Sequence, residues 1–241
     1  MNSYFYHIWY WIVAVFCIFT HFVVALFSFV TFRFRKTHRK LAREFIKIIA
    51  KAMKLKVHVQ GLENIPKNRA CVFMANHSSL IDILVMVIAV PQHFNFIAKK
   101  ELFWVPFIGL DMLFGGDFFI DRKNPRKAKR CLNRVEDHLK NGWNMLIFPE
   151  GTRSSNGELL PFKRGAFNLA AASGACIIPC YINGSDQIVK KKSLTATPGD
   201  VHIYFAPPVY PKSNDTSKAS TKSLIDITYN EIHDLKEKHY A

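Results

Sequence analysis

Charged residues are absent from the first part of the chain. No Asp, Glu, Lys or Arg occurs among the 29 residues from Tyr4 to Phe32. As a helix, this run would be roughly 43 Å long, which exceeds the ~30 Å hydrocarbon core of a bilayer. A secretory signal peptide fits poorly, because no basic segment precedes the run and no small-residue cleavage site follows it. We predict that residues 4–32 belong to the mature protein and are embedded in a membrane. The sequence allows two arrangements, in which the segment either spans the bilayer or enters one leaflet.

Several patterns of common catalytic and binding sites are also missing. The chain has no GxSxG turn, no GxxxxGK phosphate loop, no HExxH zinc helix and no GxGxxG dinucleotide loop. Its five cysteines are an odd number and lie mostly in apolar runs, which indicates buried, reduced thiols and no disulfide scaffold. Cys176 and Cys180 form a CxxxC pair without histidine partners, so we predict no metal site.

Positive charge is concentrated directly after the apolar run. Residues 33–56 hold ten Lys or Arg against one acid, Glu44, which supplies +9 of the total net charge of +15. Five of these cations recur every four residues, as one stripe of a helix would: Arg35, Arg39, Arg43, Lys47 and Lys51. A basic amphipathic helix beside an apolar segment is typical of a surface that binds an anionic membrane, and the alternative is a solvated helix. Nucleic acid fits poorly, because the charge adjoins a membrane element and not an aromatic base-stacking surface.

The same charge predicts how the chain is organised around the membrane. Basic residues beside a membrane segment favour the cytoplasmic side, so we expect the inner (cytoplasmic) membrane, with the following domain facing the cytoplasm. Residues 33–56 could fold back on residues 4–32 as the second arm of a helix hairpin. We therefore divide the chain into a membrane anchor with a basic amphipathic helix, residues 1–56, and an α/β domain, residues 57–241.

Short apolar strands alternate with helical stretches in the second domain. Strands are predicted at Val57–Val59, Ala70–Ala75, Phe94–Ala98, Phe118–Ile120, Met145–Phe148, Ile177–Ile182 and His202–Ala206. Helices are predicted at Ile83–Ala89, Arg126–Asn141, Gly165–Ser173 and Ser223–Lys238. This alternation predicts an α/β fold with a mixed sheet flanked by helices. The polar residues 212–222 are expected to form an exposed loop before the last helix.

The stretch NHSSLIDIL, residues 76–84, places His77 and Asp82 five positions apart in an otherwise apolar run. One interpretation is structural, with Ser79 capping a helix and Asp82 completing a capping box. The other is catalytic, with Asp82 holding His77 as a general base. The two side chains meet most easily if His77 precedes the helix and Asp82 lies in its first turn. This stretch alone leaves both interpretations open.

Three further segments carry polar residues at the ends of strands or the start of a helix. They are GDFFIDR (116–122), LIFPEGTRS (146–154) and FKRG (162–165). Ligands of parallel-type sheets bind beyond the carboxyl ends of strands, so these segments should converge near the histidine. Arginines there suit a phosphate, and Gly151 would let the backbone approach a ligand closely. The alternatives are an ion pair between Arg122 and Asp121 and a turn-bracing pair between Glu150 and Arg153.

Four short blocks of the sequence resemble the motifs of the glycerophospholipid acyltransferases, specifically the bacterial 1-acyl-sn-glycerol-3-phosphate acyltransferase family. NHSSLID is similar to the NHx4D motif, GDFFIDR to the second block, FPEGTRS to the third and IIPC (177–180) to the fourth. The resemblance covers roughly residues 57–210, and Cys180 departs from the usual aliphatic residue. It implies that His77 takes the proton from the free sn-2 hydroxyl of lysophosphatidic acid, which attacks an acyl thioester. Asp82 would then fix the imidazole tautomer and stabilise its cation.

The resemblance also implies the binding residues, the co-substrate and the partners. The residues implied in binding the acceptor are Lys100, Arg122, Glu150, Gly151, Thr152 and Arg153. The two arginines would hold the phosphate, and the others would shape the pocket or add charge. No metal or redox cofactor is implied, and acyl-coenzyme A or acyl-carrier protein would be the co-substrate. The alternatives are an acyltransferase for another lyso-lipid acceptor and an inactive membrane protein that binds lipid.

Overall fold

The computed structural model describes residues 3–30, 34–190, 193, 195–212 and 215–239. Residues 31–33, where the predicted apolar run meets the basic segment, and residues 213–214 of the predicted loop lie outside these ranges. Within the described ranges the chain forms seven strands and eight α-helices, with short 3₁₀ turns at Leu62–Asn64 and Lys100–Trp104.

All seven strands join one mixed sheet. In chain order they are β1 (Leu55–Gln60), β2 (Cys71–Ala75), β3 (Phe94–Lys99), β4 (Phe118–Ile120), β5 (Asn144–Ile147), β6 (Cys176–Asn183) and β7 (Gly199–Phe205). Their order across the sheet is β1-β7-β6-β2-β5-β3-β4, and every neighbouring pair is parallel except β6 and β7. The predicted strands and the mixed α/β sheet are confirmed, with small shifts of the strand ends. Because β2, β5, β3 and β4 are parallel, their carboxyl ends share one edge of the sheet.

The helices flank this sheet. They are α1 (Ser3–Val30), α2 (Phe34–Ala52), α3 (Asp82–Ala89), α4 (Ile108–Gly115), α5 (Pro125–Lys140), α6 (Arg164–Ser173), α7 (Ser185–Ile188) and α8 (Lys218–His239). The four helices predicted in the α/β domain are confirmed as α3, α5, α6 and α8, whereas α4 and α7 are not predicted. The predicted loop 212–222 is wrong at its end, because α8 begins at Lys218. There the Ser217 hydroxyl accepts the N–H of Ser220 at 3.2 Å and caps the helix.

Both faces of the sheet are buried. Phe73 of β2 points into a core shared with α1, α2 and α3, while Val72 and Met74 point into a second core shared with α5, α6 and α8. Burial on both sides accounts for the continuous apolar sequence of β2, and a fully buried side chain such as Phe73 contributes about 1.5–3 kcal/mol. The five cysteines are buried free thiols, as predicted. The central strand is therefore held rigidly up to the point where the NHSSLID segment begins.

The two N-terminal helices form an antiparallel hairpin that packs on the domain. Near the start of α1, the Tyr6 hydroxyl donates to the carbonyl of Met53, just beyond the end of α2, at 2.5 Å. The Tyr10 hydroxyl accepts the N–H of Ala196 at 3.0 Å, which links α1 to the loop before β7. By length and composition, Phe5–Val24 could cross a membrane. The predicted hairpin form is present, and it lies against the α/β domain.

Candidate active site

The predicted functional segments follow strands that end at the same edge of the sheet. His77 follows β2 and Glu150 follows β5, while Lys100 and Arg122 follow β3 and β4. The parallel pairing of these four strands brings the segments together, as the sequence predicts.

Asn76 fixes the point at which β2 ends. Its side-chain oxygen accepts the N–H of Ile182 at 2.7 Å, and its side-chain nitrogen donates to the carbonyl of Ile182 at 2.9 Å. Because β6 is buried at this point, these two bonds hold the chain in place immediately before His77.

His77 and Asp82 form a hydrogen-bonded pair. His77 lies in the turn between β2 and α3, and Asp82 is the first residue of α3, in the arrangement expected for contact. Nδ1 of His77 lies 2.7 Å from Oδ2 of Asp82, which is fully buried and also accepts the N–H groups of Ser78 and Ser79 at 2.9 Å. With Nδ1 held by the carboxylate, Nε2 is the nitrogen that can take a proton from a ligand. The side chain of His77 is 18% exposed, so a ligand can reach it.

The capping-box interpretation is wrong in one half. The Ser79 hydroxyl donates to the Val189 carbonyl at 2.7 Å, and the residue that precedes α3 is Ile81, which makes no side-chain cap. The second half of the capping box, the carboxylate that accepts hydrogen bonds from the backbone before the helix, is present: Asp82 accepts them from the N–H groups of Ser78 and Ser79. One carboxylate therefore both closes this turn and orients His77.

The segment after β5 encloses His77 from the other side. The Phe148 ring stacks on the imidazole, with centroids 4.0 Å apart and planes 15° apart. The Glu150 carboxylate accepts the N–H of His77 at 3.1 Å, and the carbonyl of His77 accepts the N–H of Ser154 at 2.7 Å. Phe148 is not among the predicted site residues, although it lies inside the LIFPEGTRS segment that the sequence singles out.

Glu150 is a buried carboxylate. Its side chain is bonded by the N–H groups of His77 and Leu160, while Oε2 has no hydrogen-bond partner within the described part of the chain. Burial raises the pKa of Glu150 from 4.5 to about 7, and the nearby charge of Asp82 acts in the same direction, against the two hydrogen bonds. The contacts of Glu150 are thus to the backbone N–H groups of His77 and Leu160, and its part in a phosphate pocket stays a prediction.

Two cations at the ends of β3 and β4 are bound to protein groups. The Lys100 ammonium lies 2.7 Å from the Asp121 carboxylate, and this contact raises the pKa of Lys100 and lowers the pKa of Asp121. Nη1 of Arg122 donates to the carbonyl of Gly151 at 2.7 Å. The alternative pairing of Arg122 with Asp121 is therefore wrong. Arg122 instead brings its guanidinium to the turn that follows β5.

Gly151 and Lys163 meet in that turn. Gly151 has a φ of +69°, a backbone conformation that favours glycine, and a Cβ there would lie 2.7 Å from Nζ of Lys163. Lys163 belongs to the FKRG segment but not to the predicted site residues, and its N–H donates to the Pro149 carbonyl at 2.8 Å. Thr152 is exposed and Arg153 is half-buried next to them. The turn thus brings basic side chains from two other segments, Arg122 and Lys163, to one glycine.

Comparison with known proteins adds a family and its relatives. The family model described as Acyltransferase matches residues 56–183. The chain is 36% identical over 183 residues to a chloroplastic 1-acyl-sn-glycerol-3-phosphate acyltransferase of Brassica napus, and this match covers 75% of the chain and 53% of that protein. It is also 36% identical over 156 residues to 1-acyl-sn-glycerol-3-phosphate acyltransferase alpha of Ovis aries, and this match covers 64% of the chain and 54% of that protein.

A solved structure is similar over nearly the whole chain. The crystal structure of the 1-acyl-sn-glycerophosphate acyltransferase PlsC of Thermotoga maritima matches with a TM-score of 0.81 and 30% sequence identity. The match covers 98% of this chain and 96% of that one. The chain therefore spans about half the length of the curated relatives it matches, and nearly all of this solved structure.

Proposed function

The chain belongs to the Acyltransferase family, and on that premise we propose that it transfers an acyl group from an acyl thioester to the sn-2 hydroxyl of lysophosphatidic acid, giving phosphatidic acid. The observation that carries the proposal is the 2.7 Å bond between His77 and Asp82 at the carboxyl edge of the sheet. The names of the relatives support the same acceptor. The family predicted from the four motifs is confirmed, and its bacterial branch stays a prediction.

His77 acts as the general base in this proposal. Its Nε2 removes the proton of the sn-2 hydroxyl while the hydroxyl oxygen bonds to the thioester carbonyl carbon, whose π electrons move to the carbonyl oxygen. Collapse of the tetrahedral intermediate breaks the C–S bond, and the imidazolium returns its proton to the leaving thiolate. Asp82 fixes the tautomer through Nδ1 and stabilises the imidazolium. General-base catalysis contributes roughly 10²–10⁴ in rate, and positioning of the two substrates supplies much of the rest.

The acceptor's phosphate binds, in this proposal, at the turn after β5. The Arg122 guanidinium is already bonded to the Gly151 carbonyl at 2.7 Å, and the Lys163 ammonium lies beside the same glycine. A guanidinium can hold phosphate oxygens bidentately, which suits Arg122 and Arg153 to a phosphomonoester. The proposed binding residues are Lys100, Arg122, Glu150, Gly151, Thr152 and Arg153, with Lys163 added on the geometry.

The acyl donor is proposed to be acyl-coenzyme A or acyl-carrier protein. Both are anionic, and the chain carries a net charge of +15. Every proton transfer proposed above is made by a side chain of this protein, so we propose no metal or redox cofactor. Nucleic acid is not proposed as a partner, because the strongest basic segment adjoins an apolar helix.

We propose that α1 lies in one leaflet of the inner (cytoplasmic) membrane, with the α/β domain on the cytoplasmic side. One side of α1 is buried in the protein core through Tyr6, Tyr10, Ala14 and Cys17. The opposite side exposes Phe5, Ile8, Trp9, Ile12, Val15, Phe16 and Phe19. A helix bound to the domain along one side is suited to lie along the membrane surface, where the exposed Lys40, Lys47 and Lys51 of α2 can meet anionic headgroups. Arg39 and Arg43 of the predicted basic stripe bond instead to the α/β domain, Arg39 to the Asp117 carboxylate and Arg43 to the carbonyls of Val90 and Pro91. The division at residue 56 stays a prediction: the family model begins there, and the first strand of the sheet begins one residue earlier, at Leu55.

The full-length protein in mixed lipid–detergent micelles provides the test. It would be offered lysophosphatidic acid, lysophosphatidylglycerol and lysophosphatidylcholine, each with acyl-coenzyme A and with acyl-carrier protein, and products would be identified by mass spectrometry. We expect phosphatidic acid from lysophosphatidic acid, and no product from the His77→Ala variant under the same conditions. Preferred acylation of lysophosphatidylcholine would refute the phosphomonoester acceptor. Absence of any acylated product would refute the enzymatic activity.

A further inference from the structure

The segment between β3 and β4 exposes an unusual amount of apolar surface. Residues 102–110, LFWVPFIGL, contain no charged side chain. Seven large apolar residues here are each more than a third exposed: Leu102, Trp104, Val105, Phe107, Ile108, Leu110 and Leu113. Trp104 is 80% exposed, the largest value among the large apolar residues of the described chain. Soluble monomers rarely expose contiguous apolar patches of this kind without a binding partner.

This surface is continuous with the outer face of α1. The Phe107 ring lies 5.7 Å from that of Phe19 and 5.4 Å from that of Phe22, measured between centroids. Nearby, Nε2 of His21 lies 2.8 Å from the Asp111 carboxylate, which joins α1 to α4. The exposed apolar side chains of the two segments therefore form one face of the molecule, carried on two elements that are bonded to each other.

Charge is arranged at the edges of this face. Within residues 102–113 the only ionisable side chain is Asp111, and it is paired with His21. Two ion pairs lie where the segment leaves β3: Lys99 is 3.6 Å from Glu101, and Lys100 is 2.7 Å from Asp121. An apolar centre with lysines at its margin matches a lipid surface, because the long lysine side chains can reach headgroup level while the apolar groups enter the acyl region.

We propose that residues 102–113 form a second membrane-inserting element, which enters the same leaflet as α1. The occupant of this face is lipid. A second copy of the chain or another protein is a poorer fit, because the surface continues without interruption onto the exposed face of an uncharged helix. The insertion depends on the shape and polarity of the surface and not on the reaction that the site catalyses. It would place Lys100, at the start of the segment, at the membrane–water boundary.

Site-specific labelling can test this in the full-length protein. The native cysteines are all buried, so a thiol-reactive, environment-sensitive fluorophore should label an introduced surface cysteine selectively. The test variants are Trp104→Cys and Ile108→Cys. The matched control is Ile227→Cys on α8, where the native residue is 44% exposed and the helix packs on the opposite side of the sheet from α1. The positive control is Phe16→Cys on α1. Thermal melts would show that each variant is folded.

The labelled proteins would be reconstituted with phosphatidylcholine–phosphatidylglycerol vesicles, with and without a nitroxide on the phosphatidylcholine acyl chains. We expect the labels at 104 and 108 to shift their emission to the blue and to lose most of it in the nitroxide vesicles, as the label at 16 should. The label at 227 should keep its emission. If the labels at 104 and 108 behave like the label at 227, the proposal is wrong. A blue shift without quenching by the lipid nitroxide would indicate a protein contact and would equally overturn it.

Discussion

Replacing Glu150 by glutamine should remove a pH dependence of stability that the buried carboxylate imposes on the wild-type protein. Glu150 is 2% exposed, and its Oε2 has no hydrogen-bond partner among the described residues. Burial raises the pKa of Glu150 from 4.5 to about 7. The folded state therefore holds this proton more tightly than the unfolded state does, and ionisation at higher pH costs stability.

The sign and size of the effect follow from these two pKa values. Below about pH 4.5 the carboxyl is protonated in both states, and its contribution to stability is fully present. As the pH rises through about 7, that contribution is lost, by roughly 3 kcal/mol in total. In a chain of this length, such a loss corresponds to roughly 6–12 °C in Tm. Glutamine cannot ionise, so Glu150→Gln should be close to wild type near pH 5 and more stable than wild type near pH 8.

The assay compares thermal unfolding of both proteins in one detergent, at about pH 5 and about pH 8. Glu63→Gln serves as the control, because Glu63 is exposed and its removal should not alter the dependence on pH. Equal losses of stability in Glu150→Gln and the wild type between the two pH values would refute a raised pKa for this carboxyl. A variant less stable than the wild type near pH 8 would refute it as well, because the ionised carboxylate would then be a stabilising group.

Three further outcomes are expected. His77→Ala should abolish acyl transfer and leave the melting temperature unchanged, and near-normal turnover of this variant would contradict the general-base role. Asp82→Ala should cut activity severely and also lower the free energy of unfolding by ~1 kcal/mol, because the turn loses its closing hydrogen bonds. Arg153→Ala should weaken the binding of lysophosphatidic acid by roughly 10- to 150-fold, measured as a raised KM for the acceptor and an unchanged KM for the donor. Arg153→Lys should recover part of the lost affinity. Full-length protein should stay in membranes washed with about 1 M salt, because screening does not weaken the apolar contacts of α1; release into the wash would contradict an embedded anchor.

The parts of the fold that could be predicted are those with a local pattern. Strand β2 is a continuous apolar run because both of its faces are buried, and α5 carries clear periodicity with a proline at its start. Helix α4 has no such pattern. Its outward side chains, Leu110 and Leu113, are as apolar as its inward ones, so a search for one polar face cannot find it. The apolar outward side chains of α4 thus both hide the helix from a search for periodicity and provide the surface that we propose inserts into lipid.

The site shows where prediction from neighbouring residues stops. His77 and Asp82 could be paired from the sequence because only five residues separate them, and the 2.7 Å contact needs only a turn and the start of a helix. The hydroxyl of Ser79 could not be assigned in the same way, because it bonds to the carbonyl of Val189, 110 residues further along the chain. A buried hydroxyl must find an acceptor, and the nearest acceptor in a folded domain is set by strand order rather than by spacing in the sequence. With Ser79 committed elsewhere, the carboxylate of Asp82 closes the turn and orients His77 at once, which ties the stability of this turn to the geometry of the proposed base.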